Sequence, residues 1–216
     1  MKAMKVTKGY GDDGTYKYRG FDITVEPDED SEYPDAWGDD ERYIVSDHRD
    51  FSVRSGCIDD IRNVIGKTKR LFYNGYYVFP VDIYIHSGIA LSLSGFSQDY
   101  GGWDTSSGWC FILIKRVRGC WSRTSAYKAA YSLLKCWNMY LSGDVHACYA
   151  DKAGYFVGGW YGTDGIEEAI SEAEDAIDNY IINNCKKHIR KIKQQIKNHA
   201  PLSERKEWEY GKKNIV

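Results

Sequence analysis

Long apolar segments are missing from this 216-residue chain. No stretch reaches the roughly eighteen consecutive apolar residues that a membrane-spanning helix needs, so none is predicted. The segment Met1–Val6 carries two lysines, but no apolar stretch follows them, which predicts no signal peptide. We therefore expect the protein to remain in the compartment in which it is made.

Cysteine pairs with C-x-x-C spacing are also missing, although the chain has six cysteines. An even count is compatible with three disulfides. The missing export signal, and a chain long enough to form its own core, favour buried free thiols instead. We predict that the six cysteines form no structural disulfide.

The catalytic and cofactor motifs that can be read from one sequence are missing too. There is no H-E-x-x-H, no P-loop, no G-x-G-x-x-G and no G-x-S-x-G. No two of the five histidines stand four residues apart, as the ligands of a helical metal site would. The sequence therefore predicts no metal site and no cofactor, and it identifies no catalytic residue.

Apolar and aromatic side chains are abundant. Hydrophobic residues make up 43% of the chain, with eighteen Tyr, seven Trp and only four Pro. This composition indicates a sheet-rich globular body and excludes a disordered chain. The predicted fold class is α+β, a mainly antiparallel sheet with helices packed on it and a long C-terminal helix. The predicted domains are a sheet domain at 1–162, an amphipathic helix at 163–200 and a basic tail at 201–216.

Alternation of apolar and polar residues predicts the strands. Strands are expected at 16–26, 42–46, 81–94 and 108–117. A turn at His86–Gly88 interrupts the third of these, and the unbroken apolar run of the fourth indicates burial on both faces. Hairpins are predicted around Asn74-Gly75 and between 145–149 and 155–160.

Two helices are predicted inside the sheet domain from apolar residues spaced three and four apart. The first spans 57–70 with Ser55 as its N-cap, and the second spans 122–141 and ends at Gly143. The apolar stripe of the second consists of Tyr127, Ala130, Tyr131, Leu134, Trp137 and Leu141.

The last predicted helix changes charge along its length. It starts at Asp164, which forms a capping-box pattern with Glu167, and it stops at Pro201. It either breaks near Asn183-Asn184 or projects its basic half from the body. Residues 186–213 hold ten Lys and Arg against three Asp and Glu, whereas residues 1–60 hold sixteen acidic and eight basic residues.

A basic surface is predicted on this helix. Its members are Lys186, Lys187, Arg190, Lys191 and Lys193. Nucleic acid binding is one interpretation. The isoleucines at helical spacing among these side chains favour a cationic amphipathic helix, whose lysines also complement the helix dipole. We predict that residues 186–213 mediate an interaction, homodimerisation included, and are dispensable for folding of the body.

Polar residues at the ends of the predicted strands are the candidate binding site. His86 and Ser87 interrupt an apolar strand pair, so His86 is either a general base or ligand-binding group, or a hydrogen-bonded sheet histidine. Trp103 precedes Asp104, and Asp144 follows the second helix. Each of these carboxylates either orients an imidazole or binds the N–H groups of its own turn. We predict that His86, Asp104 and Asp144 converge at one edge of the sheet.

Two further charged segments are candidates for binding. His48 lies between Asp47 and Asp50, where a carboxylate can poise an imidazole near neutral pH, although a solvated strand end explains the same residues. Residues 28–41 contain eight acidic residues and no basic one. An EF-hand is excluded because Tyr33 occupies the position that requires glycine. This segment is predicted to be a solvated loop or an electrostatic docking surface.

Three segments resemble a known family when taken together. They read Y-I-H-S-G-I-A-L-S at Tyr84–Ser92, W-D-T-S-S-G at Trp103–Gly108 and Y-L-S-G-D-V at Tyr140–Val145. In this order they resemble an uncharacterised family carried by bacteriophages, plasmids and other mobile elements, over roughly residues 16–162. The chain departs from the family where T-S-S-G replaces S-G-Q-V-G, so the glutamine has no counterpart. The resemblance implies an accessory protein in the cytoplasm of a bacterial host.

Three functions remain open on this basis. The first is a non-enzymatic accessory protein that binds and inhibits a host protein or nucleoprotein complex, with anti-defence action on a restriction or CRISPR complex as one form. The second is a hydrolase or nuclease-like enzyme that uses His86, Asp104 and Asp144, with His48 as a further candidate. The third is a structural protein that self-associates through its terminal helix.

Overall fold

The computed structural model describes residues 4–8, 14–36, 41–68, 71–116 and 122–199. The fold is α+β with antiparallel sheets and a long C-terminal helix, as predicted. The helices are α1 (Ile58–Thr68), α2 (Arg123–Leu141) and α3 (Gly162–Lys197). The strands are β1 (Met4–Lys8), β2 (Gly14–Tyr18), β3 (Phe21–Pro27), β4 (Arg42–His48), β5 (Phe51–Val53), β6 (Phe72–Tyr73), β7 (Tyr76–Ile85), β8 (Ile89–Ser92), β9 (Thr105–Lys115), β10 (Val145–Ala150) and β11 (Tyr155–Tyr161).

The described residues form two compact units. The first combines the residues up to Asp28 with those from His146 onward, and the second runs from Glu29 to Val145. The predicted boundary at residue 162 does not coincide with this division, because α3 packs on strands of the first unit. The predicted tail at 201–216 lies outside the described residues.

The first unit is a five-stranded sheet covered by part of α3. Its strand order is β1-β2-β3-β10-β11. Ile23 and Val25 of β3 and Cys148 of β10 form its core with the N-terminal half of α3. The single strand predicted at 16–26 is wrong, because this segment is the β2–β3 hairpin. Arg19 and Gly20 both have positive φ, 48° and 82°, which is the backbone of a tight two-residue turn.

Helix α3 is unbroken over 36 residues, which corresponds to about 54 Å. Of the two predicted alternatives, a break near Asn183-Asn184 is therefore excluded. The helix begins at Gly162, two residues before the predicted start. Asp164 is therefore the third residue of the helix and not its N-cap, so the predicted cap is wrong; the N-cap residue is Tyr161.

The second unit is a sheet between two helices. Its strand order is β5-β4-β9-β7-β6, and β8 also pairs with β7. Side chains alternate between its faces: Ile44 and Ile112 pack with α2, whereas Val45 and Leu113 pack with α1. Strand β9 is buried on both faces from Cys110 to Ile114, which confirms the interpretation of its apolar run.

The apolar stripe predicted for α2 is partly wrong. Ala130, Leu134 and Trp137 are buried as predicted. Tyr127 and Tyr131 are exposed, and Ala126 and Leu133 take the core positions instead. The predicted start of α2 is confirmed, because the Ser122 side chain accepts a hydrogen bond from the Ser125 N–H.

The acidic segment at 28–41 is not wholly solvated. Asp35 is only 2% exposed and accepts hydrogen bonds from the Ile44 N–H at 2.7 Å and from Arg54 Nη1 at 2.8 Å. Burial raises the pKa of Asp35, and the bonds from Ile44 and Arg54 oppose that rise. This carboxylate therefore anchors the segment to the second unit. Residues 37–40 lie outside the described residues.

Five of the six cysteines are described, and all five are free thiols, as predicted. Cys110 and Cys148 are buried. Burial raises the pKa of Cys148 to about 12, which suppresses its thiolate. Cys120 lies outside the described residues.

Candidate functional site

The turn between β7 and β8 meets the end of the long loop at residues 93–104. The Ile85 N–H donates to the Asp104 carbonyl at 2.9 Å, which fixes the loop beside the turn. His86 Nδ1 then lies 3.1 Å from Asp104 Oδ2, with the His86 side chain 67% exposed and the Asp104 side chain 40% exposed. The structure therefore brings together two of the three residues predicted to converge. Ser87 is exposed in the same turn.

Asp99 organises the 93–104 loop. Its carboxylate accepts the backbone N–H of Trp103 at 3.2 Å and that of Asp104 at 3.1 Å. Its carbonyl accepts the N–H of Gly102, whose φ of 63° requires a residue tolerant of the left-handed region. The nearby Thr105 side chain and the backbone N–H groups of Trp103 and Asp104 hold the pKa of Asp99 below its ordinary value. The loop is thus ordered by one carboxylate that stays ionised.

Two aromatic rings of this loop point into solvent. Tyr100 is fully exposed and Trp103 is 90% exposed. The Trp103 ring lies so close over Gly101 that a Cβ atom there would collide with it. Behind them, Tyr84 packs against Phe96 with ring centroids 5.2 Å apart and against His86 at 6.2 Å. Large exposed rings on a hydrogen-bonded loop are typical of recognition surfaces.

A groove of about 600 Å³ is lined by residues of β8 and α2. The Asn138 side chain bridges it, accepting the Leu91 N–H at 2.8 Å and donating to the Leu91 carbonyl at 2.9 Å. This amide occupies the backbone groups that an added strand would pair with, so it protects the edge of the sheet. The exposed rings of Tyr127 and Tyr131 form part of the opposite wall. The groove therefore offers apolar and aromatic side chains rather than an open strand edge.

The ends of the groove can be assigned from its lining. Leu93 lines a second pocket with Tyr127 near the start of α2, whereas Leu91 contacts Asn138 near its end. β8 and α2 therefore run in opposite directions, so Ile89 and Ser142, which both line the groove, lie toward the same end of it. The turns that contain His86 and Asp144 follow at that end. The Asp144 N–H donates to the Met139 carbonyl at 2.8 Å.

The chemistry of the His86–Asp104 pair is that of an oriented imidazole. When Nδ1 carries the proton toward Asp104, Nε2 is left as an acceptor or base. Within the described residues no hydroxyl or thiol is bonded to His86, so no nucleophile is paired with this base. The pair lies on an exposed surface, where water competes for both groups. This geometry suits hydrogen bonding to a partner better than nucleophilic catalysis.

His48 belongs to a different cluster. Its Nδ1 accepts the Asp50 N–H at 3.3 Å, and its ring meets Trp109 edge-on at 6.3 Å. Arg62 stacks over Trp109 at 4.5 Å and holds Asp47 through two bonds of 2.7 and 2.9 Å. His48 is thus a packed strand-end histidine whose side chain is 12% exposed, rather than the solvated strand end that the sequence allowed.

Sequence reasoning missed Arg62, Asn138 and Tyr100. Tyr100 and Trp103 lie in a segment rich in Gly, Ser and Asp, where no strand or helix is expected to bury their rings. This composition could have predicted exposed aromatic side chains. The pairings of Arg62 with Asp47 and of Asn138 with Leu91 join positions 15 and 47 residues apart. No local pattern reveals such contacts.

The predicted basic residues lie on the exposed surface of α3. Lys186, Lys187, Arg190, Lys191 and Lys193 are all exposed there. Within the described ranges, no three His, Cys, Asp or Glu side chains are grouped so that they could hold a metal ion. No described helix combines the length and apolarity needed to cross a membrane.

Comparisons of the chain with protein-family models, with curated proteins and with solved structures found no match. A function for this chain therefore depends on the geometry of its own residues.

Proposed function

We propose that this chain is a non-enzymatic binding protein that holds a protein partner on its second unit. The contact surface consists of the 93–104 loop and the adjoining groove between β8 and α2. In the context implied by the family resemblance, it is an accessory protein of a phage or mobile element in the bacterial cytoplasm. It binds and inhibits a host protein or nucleoprotein complex, including a component of restriction or CRISPR defence.

The exposure of Tyr100 and Trp103 is the observation that carries this proposal. Both rings are held in solvent by a loop that Asp99 has already ordered. A partner that covers them removes apolar area from water. Because the loop is already ordered, binding costs little further conformational entropy there. Aromatic anchors of this kind dominate the energetics of protein interfaces.

The groove and the His86–Asp104 pair extend the same surface. The groove has aromatic rings on the α2 wall, which favour an apolar side chain of the partner. Asn138 excludes strand addition at Leu91 unless two hydrogen bonds are first broken. Recognition is therefore proposed to proceed through side chains, with His86 and Asp104 supplying polar contacts at the rim.

The test compares Trp103→Ala and Tyr100→Ala with Phe156→Ala. Phe156 is an exposed ring of β11 in the first unit, so it is a matched control. Proteins captured from bacterial lysate are quantified by mass spectrometry, with far-UV circular dichroism to verify folding. We expect a specific host protein to be lost, at least tenfold, from the two loop variants and retained by the control. Equal capture by all three variants would reject this surface.

A second candidate function is hydrolysis, favoured by the 3.1 Å contact between His86 and Asp104. A general base oriented by a carboxylate is a recurring part of hydrolases and nucleases. His86→Gln tests it against phosphodiester, ester and nucleic acid substrates. Wild-type turnover that H86Q abolishes would establish the enzyme, whereas partner capture unaffected by H86Q and no turnover would support binding alone.

A further inference from the structure

The C-terminal half of α3 leaves an apolar seam in solvent. No described residue of α3 after Ile177 is buried. Ile182, Ile189 and Ile196 are 49%, 52% and 52% exposed. Half-exposed isoleucines repeated along a regular helix indicate a face that something else covers.

The spacing of this seam is that of a coiled coil. The three isoleucines stand seven residues apart, and Cys185 and Ile192 fall between them at the alternate spacing of three and four. At 100° per residue, the five positions lie within a sector of about 80°. So narrow a stripe is typical of the a and d positions that pack one helix against another. A membrane-surface helix carries a wider apolar face.

The charges beside the seam have one sign. Residues 182–199 contain six Lys and Arg and no Asp or Glu. Four of these cations occupy the sector next to the seam on one side, namely Lys186, Arg190, Lys193 and Lys197. The other flank carries His188 and Gln195 and no Lys or Arg. A partner must therefore bury isoleucine and present negative charge along one flank.

We infer that residues 182–196 bind an acidic amphipathic helix of another protein, in coiled-coil fashion. Leucine or isoleucine at its a and d positions would pack against Ile182, Ile189 and Ile196. Glutamate beside those positions would pair with Lys186 and Lys193. This surface belongs to the first unit and does not depend on the 93–104 loop.

Other occupants fit the same residues less well. A second copy paired in parallel would bring six cations from each chain together without one anion, and antiparallel pairing would set Lys186 against Lys193. Nucleic acid would neutralise the cations but leave the isoleucine seam in water. Only an acidic helix satisfies both the seam and the charge.

The probe is a synthetic peptide of three heptads with Ile at a, Leu at d and Glu at e and g. Its glutamates repel one another at neutral pH, so it does not pair with itself. The control peptide has the same composition in scrambled order. Binding of both to the full-length chain is measured by fluorescence anisotropy, alongside a 20-base-pair DNA duplex. Sedimentation velocity reports the oligomeric state.

The expected result is a Kd in the range of about 1–50 μM for the heptad peptide, at least tenfold tighter than for the scrambled peptide. Ile189→Ser with Ile196→Ser, and separately Lys186→Glu with Lys193→Glu, should each weaken binding at least tenfold without changing the circular dichroism at 222 nm. Raising NaCl from 50 to 500 mM should weaken it several-fold.

Three results would overturn the inference. Equal affinity for the heptad and scrambled peptides would show that charge alone determines binding. DNA binding tighter than the peptide, and insensitive to the Ile→Ser changes, would assign the surface to nucleic acid. A wild-type dimer that the Ile→Ser changes dissociate would assign the seam to a second copy.

Discussion

The two halves of α3 have similar isoleucine spacing and opposite environments. Residues 162–181 contain seven acidic residues and no basic one, and their apolar face is buried on the first unit. Residues 182–199 contain six basic residues and no acidic one, and their apolar face is exposed. The buried face places the small Ala169 and Ala173 between Ile166 and Ile177, which lets the helix approach the sheet closely. Periodicity thus reveals an apolar face, whereas side-chain size and charge indicate what covers it.

Thiol reactivity should show the largest difference between the halves. Cys148 is buried under the first half, with Sγ 3.7 Å from the Ala169 carbonyl, whereas Cys185 is partly exposed on the second half. Cys148 should react only after unfolding, at least about a thousandfold more slowly than Cys185. The measurement is mass-resolved labelling of the native chain with iodoacetamide at pH 8. Comparable rates for the two thiols would mean that the first half is not packed as described.

Matched isoleucine substitutions give the next largest effect. Ile177→Ala should lower the free energy of unfolding by about 2–5 kcal/mol because it leaves a cavity in the core of the first unit. Ile189→Ala removes a half-exposed side chain and should change the free energy of unfolding by less than about 0.5 kcal/mol. Urea denaturation followed by circular dichroism measures both. A decrease in the free energy of unfolding for Ile189→Ala as large as that for Ile177→Ala would contradict the division of α3.

Truncation after Asn184 should have the smallest effect on stability. The described residues it removes include no buried residue, so the urea midpoint of the remaining chain should stay within about 0.3 M of the full chain. Binding of the acidic heptad peptide should be lost at the same time. A shortened protein that unfolds would show that the basic half is needed for folding.

Much of this fold can be read from the sequence, because local patterns determine it. The apolar run of β9, the Asn74-Gly75 turn and the start of α2 at Ser122 are each set by neighbouring residues, and each is confirmed. The β2–β3 hairpin was missed because its turn places Arg19 in a left-handed conformation that arginine seldom adopts. The error in the α2 stripe has a different cause. Tyr127 and Tyr131 count as apolar in a periodicity pattern, although both are exposed in the structure.

The candidate site is less predictable than the fold. His86 and Asp104 were found because polar residues interrupt apolar strands, and their contact followed from adjacency of the strand ends. Asn138 and Asp35 could not be found this way. Each satisfies backbone groups of a distant or irregular segment, Leu91 in one case and Ile44 in the other. Whether a polar side chain is buried with partners or solvated depends on the tertiary structure, and composition alone suggested a solvated loop around Asp35.

Native-state amide hydrogen exchange along α3 tests the division of this helix most directly. Amides at 166–177 should exchange only through global unfolding, whereas those at 186–196 should exchange through local opening, at least about a hundredfold faster. Adding the acidic heptad peptide should slow exchange in the second segment alone. Equal protection of both segments in the isolated chain, or no response of the second to the peptide, would contradict the account.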